Sequence, residues 1–320
     1  MARILSLGSA LQDIYLIDHD DLEPTAIGEE SIFGKILVGS KVDIDKLSYE
    51  VGGGGVNSAI SFARHGHEAI LMSNISNDVA GNAILETLDT EGVDTSYIKY
   101  TTSKSTGSSV ILLDSKKGER TILTYRGAST KFDDFDASDL DAIRPDYIYI
   151  TTLRGDIKTL TRFLEKAHEL DAKVMFNPGV KELESPSEIL KLLKFVNFLL
   201  VNKQEAAELV PGKTLEELLY HLKNYCETVI ITDGPMGGIA KSGEEVYRFG
   251  IYEDVKMKDA TGAGDAFGSG FLAATASNKS FRRSLVFASA NSTSVVTKIG
   301  ANSGILNGKE DLHPMPIQKL

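Results

Sequence analysis

A layered α/β fold, helix–sheet–helix, is what this sequence predicts, and three observations predict it. Short apolar or β-rich runs recur along most of the chain, and amphipathic helical stretches precede most of them. Two segments without helical period interrupt that rhythm. Strands alternating with helices of this length build a parallel sheet covered on both faces.

The expected core strands are Ile4 to Ser9, Ala69 to Ile75, Tyr147 to Thr152, Lys173 to Asn177, Phe198 to Asn202 and Val229 to Thr232. Between them, Ile157, Leu160, Leu164 and Ala167 recur at steps of three and four, with Phe163 and Leu170 alongside. That spacing is one face of an amphipathic helix, and Leu215 to Leu222 gives a second. The first interruption, Ile14 to Val51, carries alternating stretches at Lys35 to Val38 and Lys41 to Ile44. The second, Ser108 to Tyr125, reads as a hairpin turning at Asp114-Ser115-Lys116-Lys117-Gly118. Together they are expected to form a small β-sheet lid over one end of the core. Two surface excursions packed on the core are the alternative. No internal repeat, low-complexity tract or linker is visible. Residues 1–320 are therefore expected to form a single domain, with its lid at about 14–51 and 108–125.

Composition narrows the function. At 42% hydrophobic and 25% charged, the chain resembles a soluble globular protein and not a disordered one. Lys plus Arg is 34 against 45 Asp plus Glu, for a net charge of −11, and no run of six basic residues exists. Nucleic acid and anionic membrane surfaces are thus not expected partners. The longest uncharged apolar runs are strand-sized, as in Phe198 to Val201, too short to span a membrane. Met1 to Ser9 reads as a strand, not as a signal peptide. The single cysteine, Cys226, can form neither an internal disulfide nor a CxxC metal site and is expected to be a small core residue. A cytoplasmic protein is expected. The six histidines are scattered and form no ligand cluster.

The most informative segment is Asp259-Ala260-Thr261-Gly262-Ala263-Gly264-Asp265-Ala266-Phe267-Gly268, followed by the small apolar run Ser269 to Ala276. It reads as a Gly-rich turn opening a buried helix. The backbone N–H groups of Gly262, Ala263 and Gly264 would then face one way at the positive end of the helix dipole, an anion site. A carboxylate at Asp265 would be repelled by that anion. It becomes useful if it must take a proton from a nucleophile while charge builds on a transferring phosphoryl group. Two other phosphate motifs fail here. A G-x-G-x-x-G reading needs Gly where Phe267 stands, and a Walker A reading of Gly212-Lys213-Thr214 needs Gly where Ala207 stands. Pro211-Gly212 is better read as a turn between helices.

The second segment is Gly52-Gly53-Gly54-Gly55-Val56-Asn57, leading into a helical run from Ile60 to His65. Glycines before a helix let a ligand lie against backbone, and Asn57 offers both donor and acceptor to hydroxyls. A flexible loop with an Asn cap is the plainer alternative.

Gly52-Gly53 with Asn57, paired with Asp259 to Asp265 near the C-terminus, resembles the two signature motifs of the ribokinase-like (PfkB) carbohydrate kinases. The resemblance covers essentially the whole chain and implies the ribokinase-like core with its small β-sheet lid. It also implies transfer of the γ-phosphoryl group of ATP to a hydroxyl of a sugar. By resemblance Asp265 is the catalytic base, and the backbone of Gly262, Ala263 and Gly264 surrounds the transferring group. Asp13, Gly52, Gly53 and Asn57 match substrate-binding positions. Asn202, Thr232 and Gly234 match turns that contact nucleotide, and Glu205 matches an element that organises Mg²⁺, largely through water. Val296 to Ala301 resembles a stretch flanking an adenine pocket and a monovalent-cation site, which makes Asp259 and Gly300 candidates for K⁺. Members of the family often dimerise through lid strands, so a homodimer is the corresponding expectation.

The acceptor is less legible. Arg126 and Arg154 both follow expected strands and could reach the open end of the sheet, where paired arginines would clamp a carboxylate or phosphate. That would suit an acid sugar of the 2-keto-3-deoxygluconate type or a phosphosugar; ordinary surface arginines are the alternative. A nucleoside kinase of the adenosine type is a further alternative on the same fold, with Phe33, Tyr100 and Tyr125 as stacking candidates. A non-enzymatic sugar- or nucleotide-binding regulator would be expected to lack the base or the anion-site glycines, and both are present.

Overall fold

The computed structural model describes residues 1–17, 24–26, 32–34, 39, 41, 43–114 and 119–320. The stretch Lys35 to Val38, the turn at 115–118 and the Phe33 side chain lie outside the described residues. Of Lys41 to Ile44, residues 41, 43 and 44 are described and belong to no strand.

The main sheet has nine strands among the described residues. Their order is Ile317–Lys319, Glu245–Phe249, Gly238–Ser242, Thr228–Thr232, Phe198–Asn202, Lys173–Phe176, Tyr147–Ile150, Arg3–Leu7 and Glu68–Met72. The last six of that order run parallel, and they are the six strands the apolar runs mark. The other three are antiparallel additions at one edge.

Alternation along each strand feeds two cores. On Arg3–Leu7, Leu5 and Leu7 join Phe163 and Leu164, while Ile4 joins Phe62 and Phe271 on the opposite face. The first layer holds the helices Ile157–Glu169, Pro186–Leu192, Lys203–Leu209 and Leu215–Leu222. The second holds Gly54–Arg64, Val79–Thr90, Ala263–Ala276 and Phe281–Val296. Each fully buried phenylalanine in these layers contributes about 2–3 kcal/mol. Cys226 is buried and lies in the first core, its Sγ against the Val196 carbonyl at 3.2 Å.

The chain leaves Arg3–Leu7 toward Glu68–Met72 on one side and later returns to Tyr147–Ile150 on the other. A crevice opens at the carboxyl ends of strands where order reverses in this way. Over it stands a second sheet of four strands, ordered Glu119–Tyr125, Gly107–Asp114, Leu11–Ile17 and Lys46–Gly52. Leu11–Ile17 runs parallel to Gly107–Asp114 and antiparallel to Lys46–Gly52. The small sheet thus begins at Leu11, immediately after the first core strand.

Its inward face carries Asp13, Tyr15 and Ile17, in register with Ser109, Ile111 and Leu113. Tyr15, Ile17, Ile111 and Leu113 form a small core of their own, closed by Ile299 beyond the helix Phe281–Val296. No helix among the described residues is long and apolar enough to cross a membrane.

Candidate active site

On one wall of the crevice, Lys46–Gly52 leads through Gly53 into the helix Gly54–Arg64. Gly52 has no room for a side chain, because a Cβ there would lie 2.1 Å from Oδ2 of Asp13. Gly53 sits at φ +94°, and its Cβ would meet the Ser9 carbonyl at 2.5 Å. Two glycines therefore let the turn close onto the segment after the first strand, where the Gly55 amide bonds the Ser9 carbonyl at 3.1 Å.

Asp13 is 4% exposed, on the inward face of the small sheet with Glu50 and Ser109 as register neighbours. Burial pushes its carboxyl up to about 6, with the charges of Asp259, Glu50 and Asp265 adding to the rise. A hydrogen bond with Ser109 works the other way.

Asn57 lies one turn into its helix, and the structure gives it a partner that the sequence pattern does not announce. Its side chain is buried, and its amide Nδ2 donates to Oδ2 of Asp265 at 2.8 Å. Behind it, Asn302 Nδ2 donates to the Val51 carbonyl at 2.7 Å and reaches Asn57 Oδ1 at 3.4 Å. A helix start buries its first-turn side chains against whatever the glycine turn packs on, and here that is the carboxylate of the second motif.

Asp265 stands in the first turn of the helix Ala263–Ala276, whose N-cap Gly262 is left-handed at φ +79°. A Cβ on Gly262 would meet Ala301 at 2.6 Å, so glycine is required. The amides differ slightly from the expected set. The Ala263 N–H turns back to the Ala260 carbonyl at 3.3 Å, which leaves Gly262, Gly264 and Asp265 as the amides of this turn without a backbone acceptor. Gly264 is exposed, and a Cβ there would have nothing within 4 Å. No protein packing requires that glycine. Burial raises the Asp265 carboxyl above the usual carboxylate range, and the Asn57 hydrogen bond partly restores it.

The neighbouring helix fixes this turn. Asn291 Nδ2 donates to the Ala266 carbonyl at 2.7 Å and Ser292 Oγ to the Ala263 carbonyl at 3.0 Å. Small residues along Ala263–Ala276 permit the approach; a Cβ on Gly270 would meet Asn291 at 3.0 Å.

Beside the Asp265 turn, Thr232 and Gly234 share a cleft of about 150 Å³ with Ala263 and Gly264. Phe249, Ile251 and Thr293 are among its other walls. Asn202 lies in an adjoining cleft that Thr232 and Gly234 also line. Lys203 pairs with Asp233 at 3.3 Å and holds the two turns together.

Asn202 and Glu205 form a capping box: Asn202 Oδ1 accepts from the Glu205 amide at 2.9 Å, and Glu205 Oε2 accepts from the Asn202 amide at 2.8 Å. Each therefore has a structural role in this helix, and one Glu205 oxygen remains for water or metal. No cluster of three metal-ligating side chains exists among the described residues. The donor set fits Mg²⁺ held by one carboxylate and the phosphates it arrives with, not a preformed protein cage.

Arg126 and Arg154 lie close enough for the charge of one to act on the other. Arg126 follows Glu119–Tyr125 at the root of the small sheet, near Gly107, which is in register with Leu11. Arg154 sits three residues past Thr151, whose side chain packs against Gly8 and Gly54. Burial, then the charge of Arg154, lowers Arg126 below the usual arginine range. Among the described residues neither has a carboxylate within ion-pair distance, and Nε of Arg154 is buried with no hydrogen-bond partner.

The Arg154 backbone is left-handed at φ +62°. Buried Glu182 holds that turn, accepting from Thr152 Oγ1 at 2.8 Å, the Leu153 amide at 2.7 Å and the Gly155 amide at 2.8 Å. Nothing local in the sequence marks Glu182, Asn302 or Asn291 as part of this arrangement.

With this geometry in view, comparison with known proteins is decisive. The model of the pfkB family of carbohydrate kinases matches residues 1–307. The chain belongs to the pfkB family. Membership makes it a carbohydrate kinase, an enzyme that moves a phosphoryl group to a sugar hydroxyl. This pfkB protein is 28% identical over 310 residues to the ribokinase of Bacillus subtilis (strain 168), covering 95% of this chain and 96% of that one. In fold it is similar to adenosine kinase from Sinorhizobium meliloti, at TM-score 0.79, 22% identity and coverage of 96% and 97%. It is equally similar to the ribokinase of Arabidopsis thaliana complexed with ribose and ATP, at TM-score 0.78, 22% identity and 96% of both chains.

Proposed function

We propose that this kinase transfers the γ-phosphoryl group of ATP to a hydroxyl of an anionic sugar, with Asp265 as base. The observation that supports it is the 2.8 Å bond from Asn57 to Asp265, which brings the glycine turn and the catalytic helix to one point. The acceptor oxygen forms a bond to the γ-phosphorus while the bond from phosphorus to the β-γ bridging oxygen breaks, leaving ADP. The hydroxyl proton passes to the Asp265 carboxylate and is lost to solvent after product leaves. Asp13 accepts hydrogen bonds from neighbouring hydroxyls of the sugar and fixes its orientation. The Gly264 and Asp265 amides, at the positive end of a fourteen-residue helix, face the charge that builds on the transferring group. Glu205 would hold Mg²⁺ through its free oxygen, and the metal would supply charge neutralisation of the phosphates.

Arg126 and Arg154 support the acceptor class. The partly buried Arg126 guanidinium feels the positive charge of Arg154, and in a chain of net charge −11 a counter-ion would be easy to provide. A carboxylate or phosphate on the acceptor answers both charges at once. The nucleoside alternative finds no such support: Tyr100 and Tyr125 are 60% and 52% exposed, and Tyr125 lies in the outward row of the small sheet.

That outward face suits a homodimer. Leu47, Tyr49, Leu123 and Tyr125 are all more than half exposed on it, a hydrophobic surface that a second copy would cover.

The test is ADP release from MgATP across neutral sugars, acid sugars, phosphosugars and nucleosides. Turnover of an acidic sugar that Arg154→Gln weakens through KM supports the reading. Preference for a neutral sugar, unchanged by that substitution, refutes the anionic acceptor.

A further inference from the structure

Asp259 is fully buried and ionisable, and its surroundings are unusual for a residue expected to bind a monovalent cation. Four donors already converge on it. Oδ1 accepts from the Thr261 amide at 2.9 Å and the Thr261 hydroxyl at 2.6 Å. Oδ2 accepts from the Tyr15 hydroxyl at 2.8 Å and the Gly300 amide at 3.2 Å. A fifth neighbour is a cation: Arg120 Nε lies 3.7 Å from Oδ1, with the Arg120 side chain 28% exposed and that of Asp259 at 0%.

This donor set does not fit K⁺ at the carboxylate. A potassium ion needs oxygens that replace its hydration shell, and here the carboxylate oxygens meet N–H and O–H groups and a guanidinium. A buried carboxylate without a counter-charge is strongly unfavourable. Arg120 supplies that charge from outside the core, because it belongs to the small sheet. It shares the inward face with Leu113 and Tyr15, so that two strands of the small sheet hold one core carboxylate.

The connection continues to the reaction. Asp259 bonds both donors of Thr261, and Gly262 follows as the left-handed N-cap of the catalytic helix. Gly262 packs on Ala301, next to Gly300, whose amide also bonds Asp259. Docking of the small sheet is thus transmitted through Asp259 to the turn that presents the Gly264 and Asp265 amides.

We propose that Arg120 is the built-in counter-ion of Asp259, replacing a monovalent cation and latching the lid to the anion-binding turn. Arg120 is a positioning residue. The proposal rests on the kinase reading for its rate arm only.

The test compares wild type, Arg120→Gln and Arg120→Lys in potassium chloride and in tetramethylammonium chloride, reading both thermal midpoint and turnover. Wild type should show the same midpoint and a rate within about twofold in the two salts, since its counter-ion is covalently attached. Arg120→Gln should melt at higher temperature in potassium than in tetramethylammonium. Its kcat should fall by about tenfold in tetramethylammonium, recover partly in potassium, and recover in Arg120→Lys, while KM for ATP changes little. Strong potassium activation of wild type would overturn the proposal. So would an Arg120→Gln protein that matches wild type in both salts. The melting arm needs no acceptor, so it decides the proposal even if no sugar in the panel is phosphorylated.

Discussion

Asn57 and Asp265 stand 208 residues apart in sequence and share a 2.8 Å hydrogen bond, the amide of one donating to the carboxylate of the other. Asn57 stabilises the charged form of a carboxyl group that burial pushes toward the neutral form. The bond favours the ionised carboxylate and fixes its direction together. Replacing Asn57 with Ala should therefore move the acid limb of the kcat profile to higher pH, because nothing then opposes the desolvation. Leaving the Asp265 carboxylate without that donor should also cost about 1–3 kcal/mol of stability. A pH–rate series with parallel denaturant melts measures both; an unmoved acid limb would remove Asn57 from the account.

Asp13 gives a second pH dependence with a definite sign. Its carboxyl is raised from 3.8 to about 6 in the folded protein. Between those values the folded state binds the proton that the unfolded chain has lost, so stability falls as pH rises through the window. Above it the penalty is constant, at most about 3 kcal/mol. Asp13→Asn should thus be more stable than wild type at about pH 8 and gain nothing at about pH 4. It should also lose acceptor binding, read as a raised KM. Equal stability gains at both pH values would contradict the assignment.

Two glycines in the catalytic turn should behave oppositely. Gly262→Ala places a Cβ 2.6 Å from Ala301 at a left-handed backbone and should destabilise by about 1–3 kcal/mol. Gly264→Ala meets nothing within 4 Å and should fold as well as wild type. Its methyl group nevertheless stands where phosphate would approach the amide, so kcat should drop by about tenfold or more. Normal activity in Gly264→Ala would show that the phosphoryl group does not pass there.

The outward face of the small sheet makes a prediction about assembly. Tyr49→Lys, at a position 61% exposed, should leave the melting midpoint of the fold nearly unchanged and shift light-scattering mass from dimer to monomer. A wild-type protein that is monomeric at every concentration would remove the dimer reading.

The parts of the molecule that were legible in sequence share a physical cause. Strands buried on both faces are near-continuous apolar runs, as in Tyr-Ile-Tyr-Ile at 147–150 and Phe-Leu-Leu-Val at 198–201, and they stand out locally. The antiparallel strands Gly238–Ser242, Glu245–Phe249 and Ile317–Lys319 were passed over. They carry charges at alternating or terminal positions, and the last is only three residues long. The same contrast holds in the site. Gly52, Gly53 and Gly262 sit where a side chain would collide, so their pattern is visible as residues. Asn302, Glu182 and Arg120 act by reaching segments more than 20 residues away, and a lone polar residue does not announce its partner. Asn57 was legible as a site residue, but its contact with Asp265 was not, because only the packed helix start brings the two together.

The central claim is that Asp265 takes the acceptor's proton, and the most direct measurement is single-turnover phosphoryl transfer by Asp265→Asn. That substitution keeps shape and the Asn57 neighbourhood while removing the base. The account predicts that the variant binds MgATP and acceptor with near-normal affinity and transfers the phosphoryl group about a hundredfold or more slowly, without a rate rise across the acid limb. A variant that transfers at a near-wild-type rate and keeps the wild-type pH profile would contradict it.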